Sequence, residues 1–220
     1  MTGWRVEPAP PPKAASGRAL SGRGERTRRR LLEAAEEVFA QLGYHDASIV
    51  KITEAAGVSQ GTFYVYFEGK REIFDELVDD LNRRVRHAMS EAAAQGGTRA
   101  EAERLGFRAF FRFTAEHPAL YRVIRQAEFV SPGAMHRHYE RIAEGYVSGL
   151  RRAIEDGEIA EQDPEVAAWA LMGIGELLGM RWILWGDPDD PAAPPGQVSD
   201  EAFEEMFAFI QRGLGARPPA

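Results

Sequence analysis

The chain has 220 residues, of which 44% are apolar, and a formal net charge of −7. It contains no cysteine, which excludes disulfides, thiol nucleophiles and cysteine-ligated metal sites. We expect neither a transmembrane span nor a secretory signal, because long apolar runs are lacking and the N-terminus is rich in proline. These features predict a cytoplasmic protein with no membrane partner.

The charge is unevenly distributed along the chain. Residues 1–30 hold eight Lys or Arg side chains against two acids, so the acidity belongs to the remainder. Residues 1–22 carry prolines and glycines without apolar periodicity, which predicts a disordered basic tail. A basic N-terminal region followed by an acidic remainder is typical of a nucleic-acid-binding protein with a second domain. A solvated helix end is the alternative interpretation of the arginine cluster.

The first third of the chain is predicted to contain three closely spaced helices. One helix runs from about Glu25 to Leu42 and ends at Gly43. A short amphipathic helix covers residues 49–56 and ends at Gly57, which accepts the left-handed backbone of a tight exit. Ser59 can then cap a second short helix that begins at Gln60. This succession predicts a helix-turn-helix, in which the second helix enters the major groove of DNA.

The second short helix separates its side chains by angle. Gln60, Gly61 and Tyr64 share one face, whereas Phe63 and Phe67 should enter the core. Glutamine can read adenine, and hydroxyl or ammonium groups can reach phosphates or base edges. The predicted DNA contacts are Thr27, Arg28, Ser48, Ser59, Gln60, Gly61, Thr62, Tyr64, Tyr66 and Lys70. An ordinary helical hairpin is the other interpretation.

The rest of the chain is predicted to be helical. Apolar spacing, prolines at helix starts and glycines at helix ends predict helices over about 70–95, 98–116, 118–129, 132–156, 164–185 and 200–214. Residues 186–198 form a loop by composition. We find no strand pattern and no repeat, so the predicted fold class is all-α.

The helix-turn-helix segment resembles the TetR/AcrR family of one-component transcriptional regulators. The resemblance covers about residues 25–75 and is carried by Thr27, Phe39, residues 42–48, Ile52, residues 55–59, residues 61–64, Tyr66, Phe67 and Lys70. The chain departs from the usual pattern at Thr53, where the family has alanine, and at Tyr66, where many members have histidine. The resemblance implies a three-helix DNA-binding domain over residues 23–69. A larger helical effector-binding and dimerisation domain follows over residues 70–220.

The same resemblance implies three partners: a double-stranded DNA operator, a second copy of the chain and a small-molecule effector. The dimer interface is expected on the last two helices, at Ile174, Leu178, Trp182, Phe203, Phe207 and Ile210. A mostly apolar pocket for a fatty acyl or aromatic effector is expected from Phe107, Phe111, Tyr121, Tyr139, Trp169, Met172 and Glu176. For the interface residues and for the pocket residues alike, the alternative interpretation is that the side chains pack only in the core of the protein.

Catalytic and metal motifs are lacking. His136 and His138 are two residues apart and therefore point to nearly opposite sides of a helix. The chain has no HExxH, GxSxG, GxGxxG or phosphate-loop pattern, so we expect no enzyme, metal or cofactor. The sequence predicts a ligand-responsive repressor that an apolar or amphipathic effector releases from a palindromic operator. An activator of the same fold, a helical interaction or small-molecule-binding module without DNA, and a helical enzyme remain as alternatives.

Overall fold

The computed structural model describes residues 13–185 and 196–215. Within these ranges the chain forms nine α-helices and no strand apart from one isolated bridge between Lys13 and Ala19, which confirms the all-α class. The helices are α1 Gly22–Asp46, α2 Ile49–Ala56, α3 Gln60–Tyr66, α4 Lys70–Ala93, α5 Arg99–Glu116, α6 Ala119–Val130, α7 Pro132–Glu155, α8 Pro164–Gly179 and α9 Asp200–Leu214. A π-helical turn, Met180–Leu184, continues α8. The predicted loop over 186–198 lies mostly outside the described residues.

Local sequence signals explain where the helices begin and end. Ser48, Ser59 and Thr98 each cap a helix by accepting a hydrogen bond from a backbone N–H of its first turn. Gly57 ends α2 with φ 63°. Gly43 interrupts α1 with φ 74° and ψ 167°, so the main run of α1 stops at the predicted residue and one further turn follows the bend.

Contacts divide the described residues into two compact units. The head unit contains residues 13–83 and 119–138, and the body unit contains residues 84–118, 139–185 and 196–215. The sequence-based boundary at residues 69 and 70 differs from this division. Residues 119–138 join the head because α6 packs along α1, a long-range contact that helical periodicity does not reveal. Residues 13–21 of the predicted disordered tail form a turn and the cap of α1, and residues 1–12 lie outside the described residues.

The head unit has a small aromatic core. Phe39, Phe63, Phe67 and Phe74 are fully buried, and the rings of Phe39 and Phe74 meet edge to face at 5.3 Å. Each such side chain stabilises the fold by about 1.5–3 kcal/mol through burial. The core therefore holds α1, α3 and α4 together and fixes the orientation of α3.

The body unit packs α8 tightly against α5. A Cβ atom added at Gly175 would lie 3.1 Å from Phe107 Cε1, so only glycine fits this approach without a shift. Gly175 therefore lets α5 come close, whereas Gly173 faces open space. Residues Pro164–Leu184 are also long and apolar enough to cross a membrane by length and composition alone, a criterion that core helices of soluble proteins also meet.

Candidate functional site

The helix-turn-helix is built from α2, its turn and α3. Gly57 N–H donates to Glu54 O at 3.1 Å, and Val58 N–H donates to Thr53 O at 3.0 Å, which closes the turn. Ser59 Oγ then accepts from Thr62 N–H at 3.2 Å and lies 2.9 Å from Thr62 Oγ1. The hydroxyls of these two residues therefore fix the N-terminus of α3, the end that carries the predicted base contacts.

One face of α3 points to solvent. Gln60 and Gly61 are exposed, and Tyr64 keeps 53% of its surface exposed although its ring contacts Phe63. Val65, which the sequence analysis omitted, is 51% exposed and lies beside Tyr64. Its position four residues after Gly61 on the same helix could have identified it. An unpartnered face with a flat aromatic, an amide and a glycine suits contact with base edges.

Tyr66 does not belong to this exposed face. Its side chain is buried, with 9% of its surface accessible, on the same side of α3 as Phe63. The prediction that its hydroxyl reaches DNA gains no support from this burial and stays a prediction. Helical spacing explains the difference, because Tyr66 follows Phe63 by three residues and so shares the core face.

Lys70 has a structural role that the sequence did not reveal. Its ammonium donates to Tyr44 O at 2.7 Å and Ala47 O at 2.8 Å, and it lies 4.4 Å from the centre of the Tyr44 ring. It thus supplies hydrogen bonds to backbone carbonyl groups at the end of α1 and in the connection to α2. These carbonyls already hold the ammonium, and the predicted phosphate contact of the Lys70 side chain stays a prediction.

Arg28 is likewise engaged inside the head unit. Its guanidinium makes a bidentate ion pair with Glu76 of α4 and lies 4.8 Å from the centre of the Phe67 ring. Its side chain is only 12% exposed, and its predicted phosphate contact also stays a prediction. Thr27 Oγ1 donates to Arg23 O at 3.1 Å within α1, and Ser48 accepts from Lys51 N–H at 3.2 Å. Both remain near the surface, and their DNA contacts stay predictions.

The residues predicted to bind an effector fall into separate groups. Phe107 and Phe111 are buried and pack with each other and with Phe203, whose ring centre is 6.3 Å from that of Phe111. Tyr139 OH donates to Glu176 Oε1 at 2.8 Å, and its ring centre lies 6.2 Å from that of Trp169.

The two remaining predicted effector residues differ in location. Met172 is half-buried on α8, in the body unit. Tyr121 is buried on α6 and belongs to the head unit. The structure therefore gathers a Tyr139–Trp169–Glu176 cluster and a Phe107–Phe111 cluster within the body, and the shared pocket stays a prediction.

The predicted dimer interface requires a correction on α9. Phe203, Phe207 and Ile210 are only 2%, 1% and 2% exposed, because the α9 face that carries them packs within the body unit, with the guanidinium of Arg104 on α5 4.4 Å from the Phe207 ring. These three side chains cannot also bind a second copy of the chain. Ile174, Leu178 and Trp182 are half-buried, so they keep partial access to a partner.

Other apolar side chains of the same helices are exposed. On α8, Val166 is 67% and Leu177 is 58% exposed, and on α9, Phe209 is 61% exposed. Exposed Ala170 and Gly173 continue the line from Val166 to Leu177 at helical spacing. We call Val166, Ala170, Gly173, Leu177 and Phe209 the outer stripe. Periodicity alone could not single out this stripe, because α8 is apolar around most of its circumference.

The polar side chains of the head unit do not form a metal site. No group of three or more His, Asp or Glu residues in the part of the chain described here could hold a metal ion. His138 is buried, and Asn82 Nδ2 donates to its backbone carbonyl at 2.9 Å and lies 3.1 Å from its Nδ1. His138 therefore belongs to a buried polar pair that joins α4 and α7 within the head.

Comparison with known proteins matches this geometry. The family described as bacterial regulatory proteins, tetR family, matches residues 31–77, which contain the whole helix-turn-helix. The uncharacterized HTH-type transcriptional regulator YdgC of Bacillus subtilis is 30% identical over 188 residues, which span 81% of this chain and 92% of that protein. The chain belongs to the TetR family. It is thus a DNA-binding helix-turn-helix regulator of transcription.

Further relatives of this TetR-family regulator include proteins of fatty acid metabolism. The fatty acid metabolism regulator protein of Bacillus subtilis is 28% identical over 159 residues, covering 70% of this chain and 82% of that one. A TetR family regulator from Marinobacter aquaeolei VT8 has the same fold, with a TM-score of 0.71, 22% identity and coverage of 89% and 98%. FadR from Bacillus subtilis, solved in complex with stearoyl-CoA, has a TM-score of 0.69, 23% identity and coverage of 83% and 96%.

Proposed function

We propose that this TetR-family regulator is a cytoplasmic, homodimeric repressor that a small apolar or amphipathic effector releases from a palindromic operator. The observation that carries the DNA half of the proposal is the exposed face of α3, where Gln60, Gly61 and Tyr64 stand on a helix fixed by buried Phe63 and Phe67. Two such helices, one per subunit, would read two half-sites about one to one and a half helical turns apart.

The outer stripe supports the dimer. Large exposed apolar side chains such as Leu177 and Phe209 are costly in water unless a partner covers them. Ala170 and Gly173 lie between the larger side chains on α8 and would let the backbone of a second helix come close. A dimer also suits DNA binding, because a single helix-turn-helix domain buries little surface on DNA and binds weakly. Ile174, Leu178 and Trp182 would lie at the margin of this interface.

The effector is proposed to bind among the aromatic side chains of the body. Phe107 and Phe111 offer apolar surface, and the Tyr139–Glu176 hydrogen bond offers a polar group beside Trp169. Such a mixture suits an amphipathic molecule with a long or aromatic apolar part. The stearoyl-CoA complex of FadR makes a fatty acyl thioester the first candidate, with free aromatic compounds as the second.

Release would be a shift between two conformations. An effector that binds one conformation more tightly shifts the population toward that conformation. The effector lowers operator affinity if the two α3 helices of the dimer no longer match the two half-sites in that conformation. The helix α4 is a direct covalent path for this coupling, since it begins beside α3 and continues into the body unit.

Selection of genomic fragments by the purified protein tests the DNA half of the proposal. We expect an enriched inverted repeat, and no enrichment would contradict it. Gel-shift titration on that repeat with long-chain acyl-CoA, and with free CoA as the matched control, then tests the effector. Release of the operator by acyl-CoA but not by free CoA supports a fatty acyl effector. Equal operator affinity in the titrations with acyl-CoA and with free CoA contradicts it. Transcription measured with and without the protein separates a repressor from an activator.

A further inference from the structure

Residues 13–20, just before α1, are folded onto the helix-turn-helix. Ala15 N–H donates to Val65 O at 3.0 Å, and Ala14 is buried. A tight turn follows, closed by hydrogen bonds from Gly17 N–H to Ala14 O at 2.8 Å and from Ala14 N–H to Arg18 O at 2.9 Å. This segment, which we call the arm, is therefore attached to the end of the recognition helix.

The arm carries exposed positive charge. Lys13 and Arg18 lie at its two ends, which the bridge between Lys13 and Ala19 brings side by side. Between residues 13 and 30 the chain has seven Lys or Arg side chains and a single carboxylate, Glu25. Arg28 and Arg30 are held by internal acceptors. Lys13, Arg18, Arg23, Arg26 and Arg29 are exposed and form no ion pair within the described residues.

The attachment point determines where this charge lies. Val65 is exposed beside Tyr64, on the face of α3 that we propose reads bases. Its carbonyl holds the arm, so Lys13 and Arg18 lie at the margin of the reading face rather than at a distance along a loose tail. If duplex DNA contacted Tyr64, its negatively charged phosphate backbone would also pass close to Lys13 and Arg18.

We propose that residues 13–20 form a basic arm that binds DNA phosphates flanking the bases read by α3, and that the hydrogen bond from Ala15 to Val65 holds the arm in place. This inference rests on the proposed operator binding and extends it to a second contact surface. The contacts are electrostatic, so they add affinity without base specificity.

Removal of the two arm cations is the direct test. Each phosphate contact adds about 0.9 to the slope of log affinity against log salt concentration, so Lys13→Ala/Arg18→Ala should lower this slope by up to about 2. Operator affinity should fall roughly tenfold at moderate salt, for specific and unrelated duplexes alike. The matched control is Arg151→Ala/Arg152→Ala, which removes two exposed cations from α7 in the body unit. Affinity and slope equal to those of this control would overturn the proposal.

A second variant tests the attachment while keeping every charge. Ala15 is the second residue of the turn, a position that proline favours, so Ala15→Pro retains the turn, removes the N–H donor to Val65 and places the ring Cδ against the Val65 carbonyl. We expect part of the same loss of salt dependence, and hydroxyl-radical footprinting should show weaker protection at the flanks of each half-site. A wild-type slope and footprint in Ala15→Pro would overturn the role of the attachment.

The controls separate this inference from the proposed function. If the wild-type protein binds no inverted repeat at all, the operator proposal itself fails. If the wild type binds and both arm variants bind identically, the operator proposal survives and the arm proposal fails.

Discussion

Gln126 on α6 accepts a hydrogen bond through its side-chain oxygen from the backbone N–H of Tyr44 in α1. Tyr44 follows the bend at Gly43, where the regular helical hydrogen bonds of α1 are interrupted. Arg122, one turn earlier on α6, donates to Ala40 O at 3.0 Å. Thus α6 supplies both a donor and an acceptor to the broken end of α1, which explains why residues 119–138 belong to the head unit.

Gln126→Ala should leave the Tyr44 N–H without this acceptor and destabilise the head by about 1–3 kcal/mol. Urea denaturation followed by circular dichroism measures the change. Gln126→Glu, which keeps an acceptor oxygen, is the matched control and should lose less. Equal stability of the alanine variant and the wild type would show that the hydrogen bond contributes nothing.

Gln60→Ala and Tyr64→Ala should each weaken binding to the operator by about 1–3 kcal/mol while leaving the fold stable. Both side chains are exposed, so neither substitution opens the core. Gel-shift titration measures affinity, and Gln95→Ala, an exposed glutamine after α4, is the control for Gln60. Unchanged operator affinity in the Tyr64 variant would mean that another face of α3 reads the DNA.

Lys70→Ala distinguishes a structural ammonium from a phosphate ligand. Loss of its bonds to Tyr44 O and Ala47 O should lower the free energy of unfolding by about 1–3 kcal/mol. The salt dependence of DNA binding should stay that of the wild type. A slope reduced by about 1 with unchanged stability would instead restore the phosphate contact that the sequence suggested.

The two faces of α9 should respond differently to the same substitution. Phe209→Glu places a carboxylate on the exposed outer stripe and should yield a folded monomer with weak operator binding. Phe207→Glu buries an unpaired charge inside the body and should unfold the protein or cause it to aggregate. Light scattering and circular dichroism separate these results. A Phe209→Glu and Leu177→Glu double variant that stays dimeric would place the interface away from the outer stripe.

Tyr146 should make stability fall at high pH. Burial raises the pKa of its phenol to about 12, although the positive charge of Arg99 acts in the opposite direction. The unfolded chain therefore loses this proton near pH 10, before the folded chain does. The contribution of Tyr146 is complete below pH 10 and is lost as pH rises from 10 to about 12, by up to about 2–3 kcal/mol.

Urea denaturation across this range measures the effect. Tyr146→Phe should have a flatter dependence of stability on pH, because it has no phenol to ionise. Identical curves for the variant and the wild type would contradict the assigned pKa.

Much of the fold could be predicted from the sequence because its signals are local. Caps such as Ser59 and Thr98, exits such as Gly57 and apolar spacing determine helix ends within a few residues of the chain. The roles of Arg28 and Lys70 could not be predicted in this way. A basic residue at a helix start looks the same whether it binds DNA or a distant acceptor, and Glu76 lies 48 residues from Arg28. Burial of Phe207 rather than Phe209 likewise depends on which face of α9 meets α5.

Gly175 has a mechanical consequence. Since its Cα approaches the Phe107 ring without room for a side chain, α5 cannot advance toward α8 without pushing it. Leu177 of the outer stripe lies only two residues further along the same rigid helix. A ligand that pushed the Phe107 ring toward α8 would therefore press on the backbone of the helix that also carries Leu177.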